Sequence, residues 1–177
     1  MVLKRIALIG TSSVGKTTVF ELLKNKLPKY EFISETTRTV NSYNFPINEQ
    51  GVDSTQLAIS NLHLYNLTLP YNLILDRCYL DLLVYSYLLK NVSDNTRSFV
   101  TDMWYKIKDH YTHLIYFPIE FKVVDDGVRS INEEWREEVD AQFKYELERY
   151  DKDYLTISGS PMQRVNQIMK YIKEDER

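Results

Sequence analysis

The chain of 177 residues has one cysteine, Cys78, only five glycines and five prolines, and no apolar run long enough for a membrane helix. A lone cysteine closes no internal disulfide, which suits a reducing, cytoplasmic setting. A bilayer span takes about 20 apolar residues, whereas the apolar stretch before Gly10 is short and is stopped by that glycine, so it reads as a buried strand. No excess of one charge is present either: 22 Lys and Arg stand against 25 Asp and Glu, a formal net charge of -3. Without a global positive field, a nucleic-acid partner is disfavoured and would need a local basic patch. Hydrophobic residues make up 44% and charged residues 27%, which excludes a disordered chain. Scarce as glycine is, Gly10 and Gly15 fall close together, and that clustering is the first feature to explain.

Short apolar runs alternate with longer amphipathic ones, the pattern of an α/β domain with a mostly parallel sheet. Strands are expected at Ile6 to Ile9, Tyr30 to Ser34, Leu73 to Leu75, His113 to Phe117 and Tyr154 to Ile157. Lys16 to Leu27 reads as the first helix, stopped by Pro28. Helical stripes follow at Ala58 to Leu69, Leu80 to Leu88, Val100 to Tyr111 and Met162 to Ile172, the last with Ser160 as N-cap and Pro161 at its first position. Asn41 to Ser54 is polar and reads as a long loop, and Pro118 to Asp140 reads as a turn followed by a charged amphipathic helix. No linker or repeat interrupts residues 1–177, so one domain is expected.

Gly10-Thr11-Ser12-Ser13-Val14-Gly15-Lys16-Thr17 matches the Walker A pattern, with an apolar strand before it and a helix after it. Glycine lets the backbone approach phosphate oxygens, and successive N–H groups at a helix mouth make an anion cradle. On this reading Gly10, Ser12, Ser13, Val14, Gly15, Lys16, Thr17 and Thr18 bind ATP, Lys16 brings its charge to the β- and γ-phosphates, and the Thr17 hydroxyl ligates Mg²⁺.

In a parallel sheet, ligands gather at the carboxyl ends of the strands. The second strand ends at Ser34-Glu35-Thr36-Thr37-Arg38, where Glu35 could accept a proton from an attacking hydroxyl and Arg38 could hold an acceptor. A dipole-favoured charge at a helix start is the other reading of Glu35. Asp76, after the third strand, occupies the Walker B position for Mg²⁺. Arg77 suits an acceptor anion or the transferring phosphoryl group, and Asp81 falls one helical turn on, within reach of it. Arg129 and Arg136 are two helical turns apart and would share a face, so they are candidate cations of a lid over about 118–140. Ser158 and Gly159, in the turn after the fifth strand, could pass beside a purine ring. His63, His110 and His113 show no metal spacing, and Cys78 carries no sign of a nucleophile.

With these residues in place, the chain resembles a small P-loop kinase of the nucleoside and nucleotide kinase group. The nearest likeness is to the AAA-like ATP-binding family that includes the nicotinamide-riboside kinase domain of bacterial NAD-salvage regulators. Besides the loop and the Glu35 and Asp76 segments, the likeness rests on Asp125-Asp126-Gly127-Val128-Arg129-Ser130 and on Ser158-Gly159-Ser160 with Arg164-Val165. It implies a P-loop NTPase three-layer sandwich with a five-stranded parallel sheet, nucleotide-kinase-like topology, a helical lid and ATP as donor. It also implies an acceptor held near Glu35, Arg38 and Arg77. Deoxynucleoside kinases often carry Trp two residues after the acid that Glu35 matches; here position 37 is Thr, and Cys78-Tyr79-Leu80 departs from the Ser-containing stretch of thymidylate kinases. Nicotinamide riboside, a nucleoside or a nucleoside monophosphate all fit as acceptors. A kinase acting on a DNA or RNA hydroxyl and a regulatory ATPase without a small acceptor are the alternatives, and monomer and homodimer both stay open.

Overall fold

The structure, a computed structural model, describes residues 3–122, 132–150 and 153–174. Five strands form one parallel sheet in the order β2-β3-β1-β4-β5: β1 Arg5–Ile9, β2 Glu31–Ile33, β3 Leu73–Asp76, β4 His113–Tyr116 and β5 Leu155–Thr156. In register, Ala7 lies beside Leu75 on one side and Leu114 on the other. All four residues of β3 and of β4 are buried, as continuous apolar strands in a sheet covered on both faces must be.

Alternation along the strands divides the core in two. Ile6, Leu8, Ile74 and Ile115 face α1 (Lys16–Lys24) and α7 (Pro161–Glu174), packing with Val19, Phe20, Val165 and Ile168. Ala7, Ile9, Leu75 and Leu114 face the other way, onto Leu83 of α4 (Tyr79–Leu88), Val100 and Trp104 of α5 (Asp94–Ile107) and Val139 and Phe143 of α6 (Glu133–Glu148). Helices α2 (Thr36–Ser42) and α3 (Asp53–Thr68) pack together beyond α4. The expected three-layer α/β sandwich with five parallel strands is present. No helix among the described residues is long and apolar enough to cross a membrane.

Several boundaries differ from expectation. Helix α1 stops at Lys24 rather than Leu27: the Lys26 N–H bonds the Leu23 carbonyl at 2.8 Å, three residues back rather than four, and the chain tightens into a turn ahead of Pro28. The segment 41–54, expected as loop, holds the end of α2, a 3₁₀ turn at Asn48–Gln50 and the first turn of α3. Two bonds pin it: Thr55 Oγ1 donates to the Pro46 carbonyl at 2.8 Å, and, from 40 residues away, Ser93 N–H donates to Asp53 at 2.8 Å. Tyr111 lies past the end of α5, yet is buried, and its hydroxyl accepts from the Tyr79 N–H at 3.2 Å. The region expected as a lid, 118–140, is described only at 118–122 and 132–140; Arg129 lies outside the described residues.

Candidate active site

Every functional residue expected at the strand ends, and found among the described residues, lies on the carboxyl edge of the sheet. The loop between β1 and α1 is left-handed at Ser13 and Gly15, with φ of 55° and 87°, and Gly10 has φ of 131°. A Cβ at Gly10 would lie 2.6 Å from the Phe117 carbonyl oxygen, so the β1–β4 edge admits only glycine there.

Each loop carbonyl from Gly10 to Val14 is held by a cation. Lys16 Nζ donates to Gly10 and Thr11 at 2.7 and 2.6 Å. Arg77 also donates to Gly10, at 3.3 Å. Arg136 reaches Ser12 at 3.0 Å and Ser13 at 3.3 Å, and Arg164 donates to Val14. With the Ser12, Ser13 and Val14 oxygens bonded to Arg136 and Arg164, the N–H ends of the same peptides, at Ser13, Val14 and Gly15, are left for an anion.

This picture changes the reading of Arg136. Expected as a cation sharing a lid face with Arg129, it is buried at 1% exposure and bonded to the loop backbone, with a further bond to the Phe121 carbonyl at 2.6 Å. It is a brace of the phosphate loop. Arg164, given no role from sequence, is its counterpart on α7: buried, flanked by the Phe117 and Phe121 rings at 5.5 and 4.9 Å, and 3.0 Å from Glu120. Its bond to Val14 spans 150 residues of chain, so no local pattern announces it.

Thr17 Oγ1 donates to Asp76 Oδ2 at 3.0 Å, joining the Walker A hydroxyl to the acid after β3. Asp76 Oδ1 is buried and makes no hydrogen bond. No group of three or more His, Cys, Asp or Glu side chains among the described residues could hold a metal. The Thr17 hydroxyl and the Asp76 carboxylate are hard oxygen donors, and so few protein ligands suit Mg²⁺, which keeps waters and phosphate oxygens around it.

Glu35 is buried between two arginines. Its Oε1 accepts from Arg77 Nε at 2.6 Å, and its Oε2 from the more exposed Arg38 at 3.3 Å. Arg77 also meets Asp81 at 3.0 Å and lies over the Tyr85 ring at 5.5 Å. Burial opposes the Arg77 charge, but Glu35, Tyr85, Asp81 and Asp76 overcome it and hold its pKa above the ordinary arginine value. Asp81 is pushed up to about 6 by burial, with Arg77 and Lys16 acting against the rise. His63, beside Thr36 at 3.2 Å, is driven down to about 3 by burial and by Arg77, so it is neutral at pH 7.

Two clefts flank the loop. A wider one of about 370 Å³ runs past Ser13, Gly15, Lys16, Thr17, Thr18 and Arg164. A narrower one of about 50 Å³ is lined by Glu35, Arg38, Gln56, His63, Arg77 and Trp135, among others, and reaches Ser12. Gln56, Tyr85 and Trp135 are site residues that sequence reading missed, since each is indistinguishable from a core position until α3, α4 and α6 are placed. The structure does not bring Ser158 and Gly159 into the wider cleft's lining; their N–H groups donate to Gln167 at 3.3 Å and to Glu120 at 3.0 Å.

The sheet order, the braced loop and the Thr17–Asp76 pair define a P-loop nucleotide-binding fold. The chain belongs to the AAA domain family, whose model matches residues 5–164. Among solved structures it is similar to deoxyadenosine kinase from M. mycoides, at 20% identity and TM-score 0.73, covering 97% of this chain and 99% of that one. It is also similar to NadR protein in complex with NR, at 17% identity and TM-score 0.77, covering 96% of this chain and 52% of that one. Thymidylate kinase from Candida albicans matches at 17% identity and TM-score 0.67, over 98% and 92% of the respective chains. At such identities the likeness establishes the fold. No curated protein matches the sequence.

Two outcomes follow from this geometry. Arg136→Met frees two loop carbonyls, and buried unpaired polar groups cost about 1–3 kcal/mol each, so affinity for ATP·Mg should fall at least about tenfold by calorimetry while circular dichroism stays native. Unchanged affinity would show that the brace is dispensable. The second concerns acid stability. The folded-state pKa of His63 lies below the unfolded value, so its contribution is present above pH 6.5 and is lost as pH falls from there toward 3. Asp81 works in the opposite sense, with its burial cost growing as pH rises from 3.8 through about 6, and it is shared by both proteins in a comparison with His63→Gln. Between pH 7.5 and 5 the wild type should lose about 2 kcal/mol more than His63→Gln in urea unfolding. Equal losses would contradict a neutral buried His63.

Proposed function

We propose that the chain is a P-loop kinase domain that transfers the γ-phosphate of ATP to a small nucleoside-like or nucleotide-like acceptor. The observation that carries this reading is the pair of clefts meeting at the phosphate loop, one lined by Lys16 and Thr17, the other by Glu35 and Arg77. A regulatory ATPase has no need of a second, carboxylate-bearing cleft at the same edge.

When bound, ATP·Mg supplies the phosphoryl group that is transferred. The loop N–H groups and Lys16 hold the phosphates, with Lys16 exchanging the Gly10 and Thr11 carbonyls for phosphate oxygens. Thr17 and Asp76 hold the metal. On the other side, Glu35 accepts a hydrogen bond from the acceptor hydroxyl and aims its oxygen at the phosphorus. A loose phosphoryl-transfer transition state asks for orientation of the acceptor more than early deprotonation, and a carboxylate held by Arg77 and Arg38 supplies that orientation. Arg77 keeps the carboxylate in place and adds positive charge beside the transferring group.

The similar solved structures include a deoxyadenosine kinase, a thymidylate kinase and a protein in complex with NR, which supports nucleosides, nucleoside monophosphates and nicotinamide riboside as the acceptors to try. ATP consumption should depend on one of these and not on oligonucleotides. Acceptor-independent hydrolysis at full rate would refute the kinase reading. Glu35→Gln should cut turnover about 10²- to 10³-fold with ATP affinity kept within about threefold; unchanged turnover removes Glu35 from the chemistry.

A further inference from the structure

Position 37 is threonine, so the β2 side of the narrow cleft carries no aromatic ring two residues beyond Glu35. Rings enter instead from α4 and α6. Trp135, in the first turn of α6, lines the cleft together with Tyr85, their ring centroids 6.4 Å apart and their planes inclined at 53°. Tyr85 lies under the Arg77 guanidinium, which also bonds Glu35, so rings and carboxylate form one continuous wall. Ile47, Ile59, Leu82 and Leu89 add apolar surface to a lining that also carries polar side chains such as Gln56 and His63.

Trp135 is held in register from both sides in sequence. Asn132 caps α6 by accepting from the Trp135 N–H at 3.2 Å, and Arg136, the next residue, is fastened to the Ser12 and Ser13 carbonyls. The end of α6 that braces the phosphate loop thus also presents an indole to the neighbouring cleft. Trp104, by contrast, is a buried core residue between Tyr111 and Tyr150; Trp135 is half-buried and faces the cleft.

We propose that Trp135 is the ring-facing wall of the acceptor cleft and determines its preference for acceptors that carry a planar heterocycle. This rests on the kinase reading of that cleft. An acceptor with its hydroxyl at Glu35 places its ring along the Trp135–Tyr85 wall, and the stack discriminates a base-bearing acceptor from a bare sugar.

The test uses Trp135 emission in Trp104→Phe, or the difference between wild type and Trp135→Phe should Trp104→Phe fold poorly. Nucleosides and nicotinamide riboside should change that emission, and ribose 5-phosphate should not. In steady-state kinetics, Trp135→Ala should raise the acceptor KM about tenfold or more, as loss of a base–aromatic stack does, with the KM for ATP unchanged and Trp135→Phe restoring most of the loss. An unchanged acceptor KM in Trp135→Ala, with transfer intact in the wild type, would overturn the Trp135 assignment alone. Equal responses to ribose 5-phosphate and nucleosides would overturn the ring preference. A nucleoside-specific emission change without any acceptor-dependent transfer by the wild type would overturn the kinase reading and leave the ring wall standing.

Discussion

The site depends on how five consecutive carbonyls are disposed. From Gly10 to Val14 the backbone oxygens are taken up by Lys16, Arg77, Arg136 and Arg164. A peptide plane has two polar ends, so fixing the oxygen outward fixes the N–H inward. Arg136 and Arg164, from α6 and α7, therefore brace a cradle that the loop sequence alone cannot make rigid, with Lys16 and Arg77 on the carbonyls before it.

Arg77 joins that cradle to the second cleft. It sits in left-handed backbone with φ of 79°, a conformation that costs a non-glycine residue roughly 1–2 kcal/mol. Directly after β3, this turn sends the side chain back across the sheet edge, where it meets Gly10, Glu35 and Asp81 at once. A buried arginine with two carboxylates is far better compensated than one alone, and removing either acid still leaves the other as its partner. His63 and Asp81 lie buried in the same corner, and that burial pushes His63 down and Asp81 up.

Much of this was legible in the sequence, for physical reasons that differ by element. The phosphate loop could be read because glycine at positions 10 and 15, and a lysine at the helix mouth, are demanded locally. The buried strands could be read because both faces of the sheet are covered. Glu35, Asp76 and Arg77 could be placed at one edge because parallel strands all point the same way. What could not be read depends on long-range closure. The helices that cross segment 41–54 are held by partners such as Ser93, and the bonds from Arg136 and Arg164 to the loop span more than a hundred residues. Arg136 in particular read as a lid cation sharing a face with Arg129 until α6 was laid against the loop.

The most direct measurement is a ¹⁵N–¹H spectrum of the full chain titrated with ATP·Mg. The largest amide shifts should fall on Ser13 to Thr17: Ser13, Val14 and Gly15 are the N–H ends of peptides whose oxygens Arg136 and Arg164 hold, and Lys16 and Thr17 open α1. Shifts confined to other parts of the chain, with those amides unmoved at saturating nucleotide, would contradict the braced cradle.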